Sequence, residues 1–172
     1  LLEIVDRADV ISLAGGLPAA ETFPAAALAE AIGIPSLVRF FGSELAREIV
    51  AEGKRADLLV GNNVLAHVPA LNDFVAGLAA VLAPRGVLTM EFPHLLRLME
   101  EGQFDTIYHE HFSYFSFHTV RRVFAAHGIE LFDVEELPTH GGSLRIYGCH
   151  DDDPRERTER ASSMLDREAS LG

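Results

Sequence analysis

Strand-length apolar runs alternate with helix-period stretches along this chain, and the last two runs follow one another without a helix between them. That order restricts the fold more than any other feature of the sequence. "PSLVRFF" (35–41) has the length of a buried strand, and Gly42 and Ser43 start a helix through "ELAREIVAE" (44–52), with Leu45, Ile49 and Glu52 at helical spacing. Gly53 supplies a left-handed stop. "ADLLV" (56–60) reads as the next strand, and the Gly61–Asn62–Asn63 start of "GNNVLAHVP" breaks it where a parallel strand empties into a loop. A helix over 71–83 sets Leu71, Phe74, Val75, Leu78 and Leu82 on one stripe, and "PRG" (84–86) ends it. The strand "VLTMEF" (87–92) closes at Pro93, and a helical pattern at 118–127 carries Val120, Val123 and Phe124 up to Gly128. "ELFDVEEL" (130–137) and "SLRIYGCH" (143–150) are two closely joined strands, with Gly141 and Gly142 in the turn.

This order predicts an α/β fold: a mostly parallel open sheet with an antiparallel edge. Ligands of such sheets sit beyond the carboxyl ends of the strands, so the loops that matter are 61–68, 91–94 and 102–117. The tail, 151–172, mixes both signs of charge with few apolar residues and reads as a solvated helix or a frayed end.

The 172 residues carry 14 basic and 26 acidic side chains, a formal charge of -12, which repels a phosphate backbone and speaks against a nucleic-acid partner. No apolar run has the length of a membrane span and no secretory signal is visible, so a cytoplasmic protein is expected. A single cysteine, Cys149, rules out an internal disulfide framework and a cysteine-paired zinc site.

The chemistry concentrates in "YHEHFSYFSFHT" (108–119), where three histidines, two tyrosines and a glutamate stand among three phenylalanines. A core strand has no use for Tyr108, His109, Glu110 and His111 in succession, because each needs a buried partner or a solvated face. The rival readings are a surface loop of solvated histidines, or a metal pair formed by the alternating His109 and His111. His94, His127 and His150 read as surface or helix-end residues, and His140, ahead of Gly141 and Gly142, is a candidate for the pocket mouth. The phenylalanines at 112, 115 and 117 read as packing.

Taken together, "ADLLVGNNVLAHVPALNDF" (56–74), "GVLTMEFPHLL" (86–96), "QFDTIYHEHFSYFS" (103–116) and "FDVEELPTHGGSLRIY" (132–147) resemble the S-adenosylmethionine-dependent sugar C-methyltransferases of deoxysugar biosynthesis. The resemblance covers about 33–150 and implies a class I methyltransferase (Rossmann-like) sheet, S-adenosyl-L-methionine as cofactor and a nucleotide-linked keto-deoxysugar as substrate. It also implies methylation at the ring carbon beside the ketone. Such a reaction needs a base for the carbon-bound proton and a donor for the enolate oxygen. By resemblance His111 is that base, with Tyr108, Glu110 and His67 around the reacting sugar. Asn62 and Asn63, leaving the fourth family strand, and Glu91, ending the fifth, fall at the cofactor rim, although the two asparagines also suit a plain turn.

The sequence departs from that family at its start. No glycine-rich G-x-G loop precedes residue 33, and the first strand, helix and strand of the family pattern have no counterpart. The cysteine-rich zinc module that precedes the family's catalytic domain is also missing, so no structural metal is expected. "DVISLAGGLPAAETFPAAALAEA" (9–31) instead resembles the N-terminal segment of fold-type I pyridoxal-phosphate aminotransferases. An aminotransferase function does not come with it, because the chain's lone lysine, Lys54, lies in the methyltransferase-like part and offers no downstream Schiff base. The expectation is a composite: a leader over 1–32 joined near Ala31–Gly33 to a partial catalytic domain over 33–150, followed by a charged C-terminal helix or tail. "DVISLA" (9–14) is expected to cover the sheet edge that a missing first strand exposes. The alternative functions are a non-catalytic fragment or interaction module and, further off, an aminotransferase fragment. The sequence leaves the oligomeric state open.

Overall fold

A computed structural model describes residues 39–170, the isolated positions 33 and 37, and the backbone of 10–12. Five strands form one sheet: β1 (Val10–Ser12), β2 (Ala56–Asn62), β3 (Leu82–Pro93), β4 (Ile129–Leu137) and β5 (Ser143–His150), in the order β1-β2-β3-β5-β4. β1, β2 and β3 run parallel, and β5 pairs antiparallel with both β3 and β4. The reversed strand therefore lies one place in from the edge, and β4 runs in the common direction outside it. Over Val10–Ser12, paired with Leu58–Val60, the expected leader strand does cover the free edge of β2. The rest of the aminotransferase-like segment lies outside the described residues.

Helices α1 (Ser43–Ala51), α2 (Leu71–Val81) and α4 (Phe117–Ala125) bury their apolar stripes in one core. Phe74, Val75, Leu78, Phe117, Val120 and Phe124 meet Leu59, Leu88, Met90, Phe92, Leu144 and Ile146 of the strands. Asp73 on α2 accepts from the Ser43 hydroxyl at the first turn of α1, and α2 approaches so closely that a methyl group on Gly77 would lie 2.8 Å from the Gly42 carbonyl carbon. α1 stops at a left-handed Gly53 (φ 76°), as the sequence suggests.

Four expectations need correction. Residues 37 and 39–41 of "PSLVRFF" form no strand: Leu37 and Phe40 are exposed, and Phe41 packs edge-on against Phe74 with ring centres 5.6 Å apart. "PRG" (84–86) does not separate α2 from its strand, because β3 begins at Leu82 and passes through all three residues with a register shift against β2 between Ala56 and Leu58. The tail is a helix, α5 (Glu159–Ala169), but one face of it is docked.

Thr158 caps α5 and donates its own N–H to the Phe132 carbonyl on the outer edge of β4 (2.8 Å). Ala161 and Met164 then enter the core, and Arg160 binds Asp133. Farther along, Glu168 reaches His94 (Oε1 to Nε2, 2.8 Å) with side chains 6% and 0% exposed. His94 is thus buried rather than at the surface, directly before α3 (Leu95–Glu100). The same carboxylate accepts from the N–H groups of Phe117 and His118 (both 2.7 Å), capping α4 from a neighbouring helix.

Candidate active site

At the carboxyl ends of β2 and β3, Asn62 lies opposite Glu91, and Asn63 donates its N–H to the Glu91 carbonyl (2.8 Å). Asn63 adopts the left-handed conformation (φ 53°), which turns the chain out of the sheet into a short helical turn, Leu65–His67. The segment after α3 folds back over this turn. Phe112 N–H donates to the Ala66 carbonyl (2.8 Å), while the Phe115 carbonyl accepts from Leu95 N–H (2.9 Å). Phe115 is buried edge-on against Phe92, with centroids 5.7 Å apart. These anchors bring His67 and His111 ring against ring, 4.7 Å between centroids, although 44 positions separate them in the chain.

The two imidazoles are not equivalent. His67 Nδ1 lies 3.2 Å from the Glu110 backbone carbonyl, which only accepts, so Nδ1 carries a hydrogen and Nε2 is the ring atom left for a ligand. His111 is enclosed by His67, Tyr108 (5.2 Å) and Tyr114 (5.4 Å), and its Nδ1 is buried without a partner. Burial, then the facing His67 and more weakly His140, hold the His111 pKa below the ordinary imidazole value, while Glu110 pulls the other way. At neutral pH His111 is therefore an uncharged proton acceptor.

Of the residues named with His111 in the sequence, His67 and Tyr108 pack against its ring, and Glu110, exposed, precedes it in the chain. Tyr108 is half exposed, and Tyr114 fixes its backbone by accepting from Tyr108 N–H (3.1 Å) and donating to the Tyr108 carbonyl (3.4 Å). Tyr114 stands in the same aromatic stretch without being singled out by the sequence; its role is visible only once the loop closes on itself. His109 is exposed, and no three His, Cys, Asp or Glu side chains converge as a metal site among the described residues.

Glu91 sits at the strand end but is not free. Its carboxylate accepts from the Thr139 hydroxyl (2.8 Å) and from Arg145 (2.7 Å), its cross-strand neighbour on β5. It ties the turn after β4 to the end of β3. Thr139 and Arg145 carry no sequence signal, because the pairing depends on β5 being inserted beside β3.

A sequence profile described as a methyltransferase domain matches residues 16–134, more than half of the chain. The chain belongs to the methyltransferase-domain family. The match begins inside the aminotransferase-like segment and runs across the proposed join. C-methyltransferase NovU of Streptomyces niveus is 35% identical over 140 residues, which is 81% of this chain and 33% of NovU. The chain thus spans about a third of the length of that curated relative. Among solved structures, an O-methyltransferase family protein from Burkholderia thailandensis is 15% identical, covering 75% of this chain and 41% of that one, with a TM-score of 0.49. An S-adenosylmethionine-dependent methyltransferase from Anabaena variabilis is likewise 15% identical, over 67% and 57% of the two chains, at a TM-score of 0.48.

For this methyltransferase domain, the residues at the strand ends fit the expected cofactor in one respect that the geometry tests. Asn63 Oδ1 is buried and has no hydrogen-bond partner, and it sits on a strained backbone at the mouth between β2 and β3. An acceptor left in that state suits a ligand rich in donors, and S-adenosylmethionine offers an ammonium group, ribose hydroxyls and an adenine amine. Asn62, exposed one residue earlier, adds an amide on the same rim. Glu91, fully engaged, supports the rim rather than reaching into it.

Proposed function

We propose that the chain is the part of an S-adenosylmethionine-dependent C-methyltransferase that binds and activates a nucleotide-linked keto-deoxysugar, methylating the ring carbon beside the ketone. The observation that carries this reading is His111, neutral and packed 4.7 Å from His67 beside the mouth formed by Asn62 and Asn63. The 35% identity to a C-methyltransferase supports the choice of carbon as the acceptor. S-adenosylmethionine, when bound, supplies an electrophilic methyl group on its sulfonium. His111 takes the proton from the carbon beside the ketone, and the electrons of that C–H bond become the enolate; with the cofactor bound, this carbon would accept the methyl group as its bond to sulfur breaks and the neutral thioether leaves. Tyr108 donates its hydroxyl hydrogen to the enolate oxygen. Glu110 compensates the charge that develops on His111, and His67, its tautomer set by the Glu110 carbonyl, offers Nε2 to a sugar hydroxyl. Asn62 and Asn63 hold the cofactor, and Glu91 braces the rim.

Two measurements test this. Isothermal titration of the chain with S-adenosylmethionine is expected to show binding that Asn63→Ala weakens; no heat at millimolar cofactor would return the chain to a non-catalytic interaction module. In deuterium oxide, the chain is expected to exchange the substrate's carbon-bound proton. His111→Gln abolishes that exchange and Tyr108→Phe slows it. Undiminished exchange in the His111 variant removes it from the role of base.

A further inference from the structure

The turn that joins β4 to β5 is built at a cost that its connecting job does not require. His140, Gly141 and Gly142 follow one another with φ of 54°, 77° and 122°. The two glycines adopt such angles freely, but His140 does so against its own Cβ. A non-glycine residue is held in this region only where its surroundings over-determine it, and three contacts do so here. Thr139 donates to Glu91 at the end of β3, Gln103 Nε2 donates to the Gly141 carbonyl (2.7 Å), and His94 N–H donates to the Gly142 carbonyl (3.0 Å). Glu91 and His94 bracket the carboxyl end of β3, and Gln103 starts the segment that leads to Tyr108 and His111. The strained residue is thus fixed between the two elements that build the candidate site, with its imidazole exposed.

We propose that His140 is a positioning residue of the same site, presented by this turn toward the His67–His111 pair to fix the substrate's reacting end. The inference rests on the methyl-transfer reading for its substrate but not for its geometry. It is supported by electrostatics: the groups that act on His111 are His67, Glu110 and His140, and His140 belongs to neither loop of the original pair. Three imidazoles are then carried by three separate connections, 65–67, 108–111 and 139–142, at the carboxyl ends of the strands.

The test uses His140→Asn and His140→Gly in the full 172-residue chain, because asparagine tolerates the left-handed backbone and glycine relieves it. Both variants are expected to melt at the wild-type temperature or above it. Both are expected to lose about 10- to 100-fold in kcat/KM for methyl transfer, as for removal of a hydrogen bond to a charged or polarised group. The His111 ring-proton NMR titration is expected to move to higher pH once the His140 imidazole is gone. A merely structural turn residue would move the melting point and leave that titration in place, and this result overturns the proposal. So does a shifted titration with unchanged kcat/KM. If the wild-type chain transfers no methyl group, the function reading fails on its own, and the NMR titration alone decides whether His140 belongs to the cluster.

Discussion

Replacing Glu168 by alanine removes the acceptor of three hydrogen bonds at once, from His94 Nε2 (2.8 Å), Phe117 N–H and His118 N–H (both 2.7 Å). Each lost bond of this kind costs about 1 kcal/mol net, and a buried donor left unpaired costs up to about 3 kcal/mol. His94 cannot recover by turning to water, being 1% exposed, whereas His118 is exposed and its N–H can be rehydrated. The sum is about 3 kcal/mol, at the low end of the roughly 3–5 kcal/mol measured when one partner of a buried pair is deleted. For a chain of this size that is a fall in melting temperature of about 6–12 °C. The pH dependence carries a sign that a plain packing defect would not. Burial pushes the Glu168 carboxyl up, but His94 and the N–H groups of His118 and Phe117 outweigh it and hold the carboxyl below its usual range. A depressed carboxyl stabilises the fold fully above its unfolded pKa of about 4.3 and loses that contribution as pH falls through the folded value. The gap between wild type and Glu168→Ala, measured by urea unfolding, is therefore expected to be constant from pH 7 to about pH 5 and to narrow below about pH 4. A variant within about 0.5 kcal/mol of wild type at pH 7, the range of an ordinary surface change, would refute the clamp.

The pH profile of kcat/KM is expected to keep its acid limb below the ordinary histidine pKa of about 6.5, because His111 is depressed first by burial and then by His67. His67→Ala moves that limb to higher pH, and Glu110→Gln moves it lower, since Glu110 is the group that raises the His111 value. Gly77→Ala sets a methyl group 2.8 Å from the Gly42 backbone, which cannot rotate away as a side chain would, and is expected to cost about 1–3 kcal/mol by thermal or urea unfolding. Asn63→Gly relieves a left-handed backbone and deletes an unpartnered buried oxygen, so stability holds or rises while the cofactor affinity measured by titration falls.

What could be read from the sequence was what is decided locally. The 3.6-residue stripe of α2, the strands around Gly141 and Gly142 and the left-handed Gly53 follow from nearest-neighbour chemistry, and the structure places them within a residue or two of where that chemistry puts them. The cluster of His67, Tyr108, Glu110 and His111 was accessible because three of its four members are adjacent in the chain. His94 was not, because its environment is made by a carboxylate 74 positions away on a helix whose composition reads as solvated. Ala161 and Met164 of α5 enter the core with Leu165 packed partly against it, too few to show as an apolar stripe amid the charges. Glu91 was found by position but its partners were not, since Arg145 becomes a neighbour only when β5 inserts antiparallel beside β3.

The long-range contacts missed in this way all converge on one place, and their distribution suggests why the fold concentrates them there. The loop that carries His111 has few anchors of its own: Phe112 and Ser113 on Ala66, Phe115 on Leu95, and Tyr114 on Tyr108. Leu95 follows His94, which Glu168 holds from one side and the Gly142 carbonyl from the other. Gly142 belongs to the turn that Thr139 ties to Glu91, and the Glu91 carbonyl holds Asn63. A chain of direct hydrogen bonds and adjacent residues therefore runs from the C-terminal helix through the end of β3 to both rims of the site. If that chain positions His111, Glu168→Ala lowers kcat/KM even at temperatures where the variant is fully folded, and the loss shows in kcat rather than in cofactor affinity. A folded Glu168→Ala variant with wild-type kcat would mean that the loop is held by its local anchors alone, and that the buried pair serves stability only.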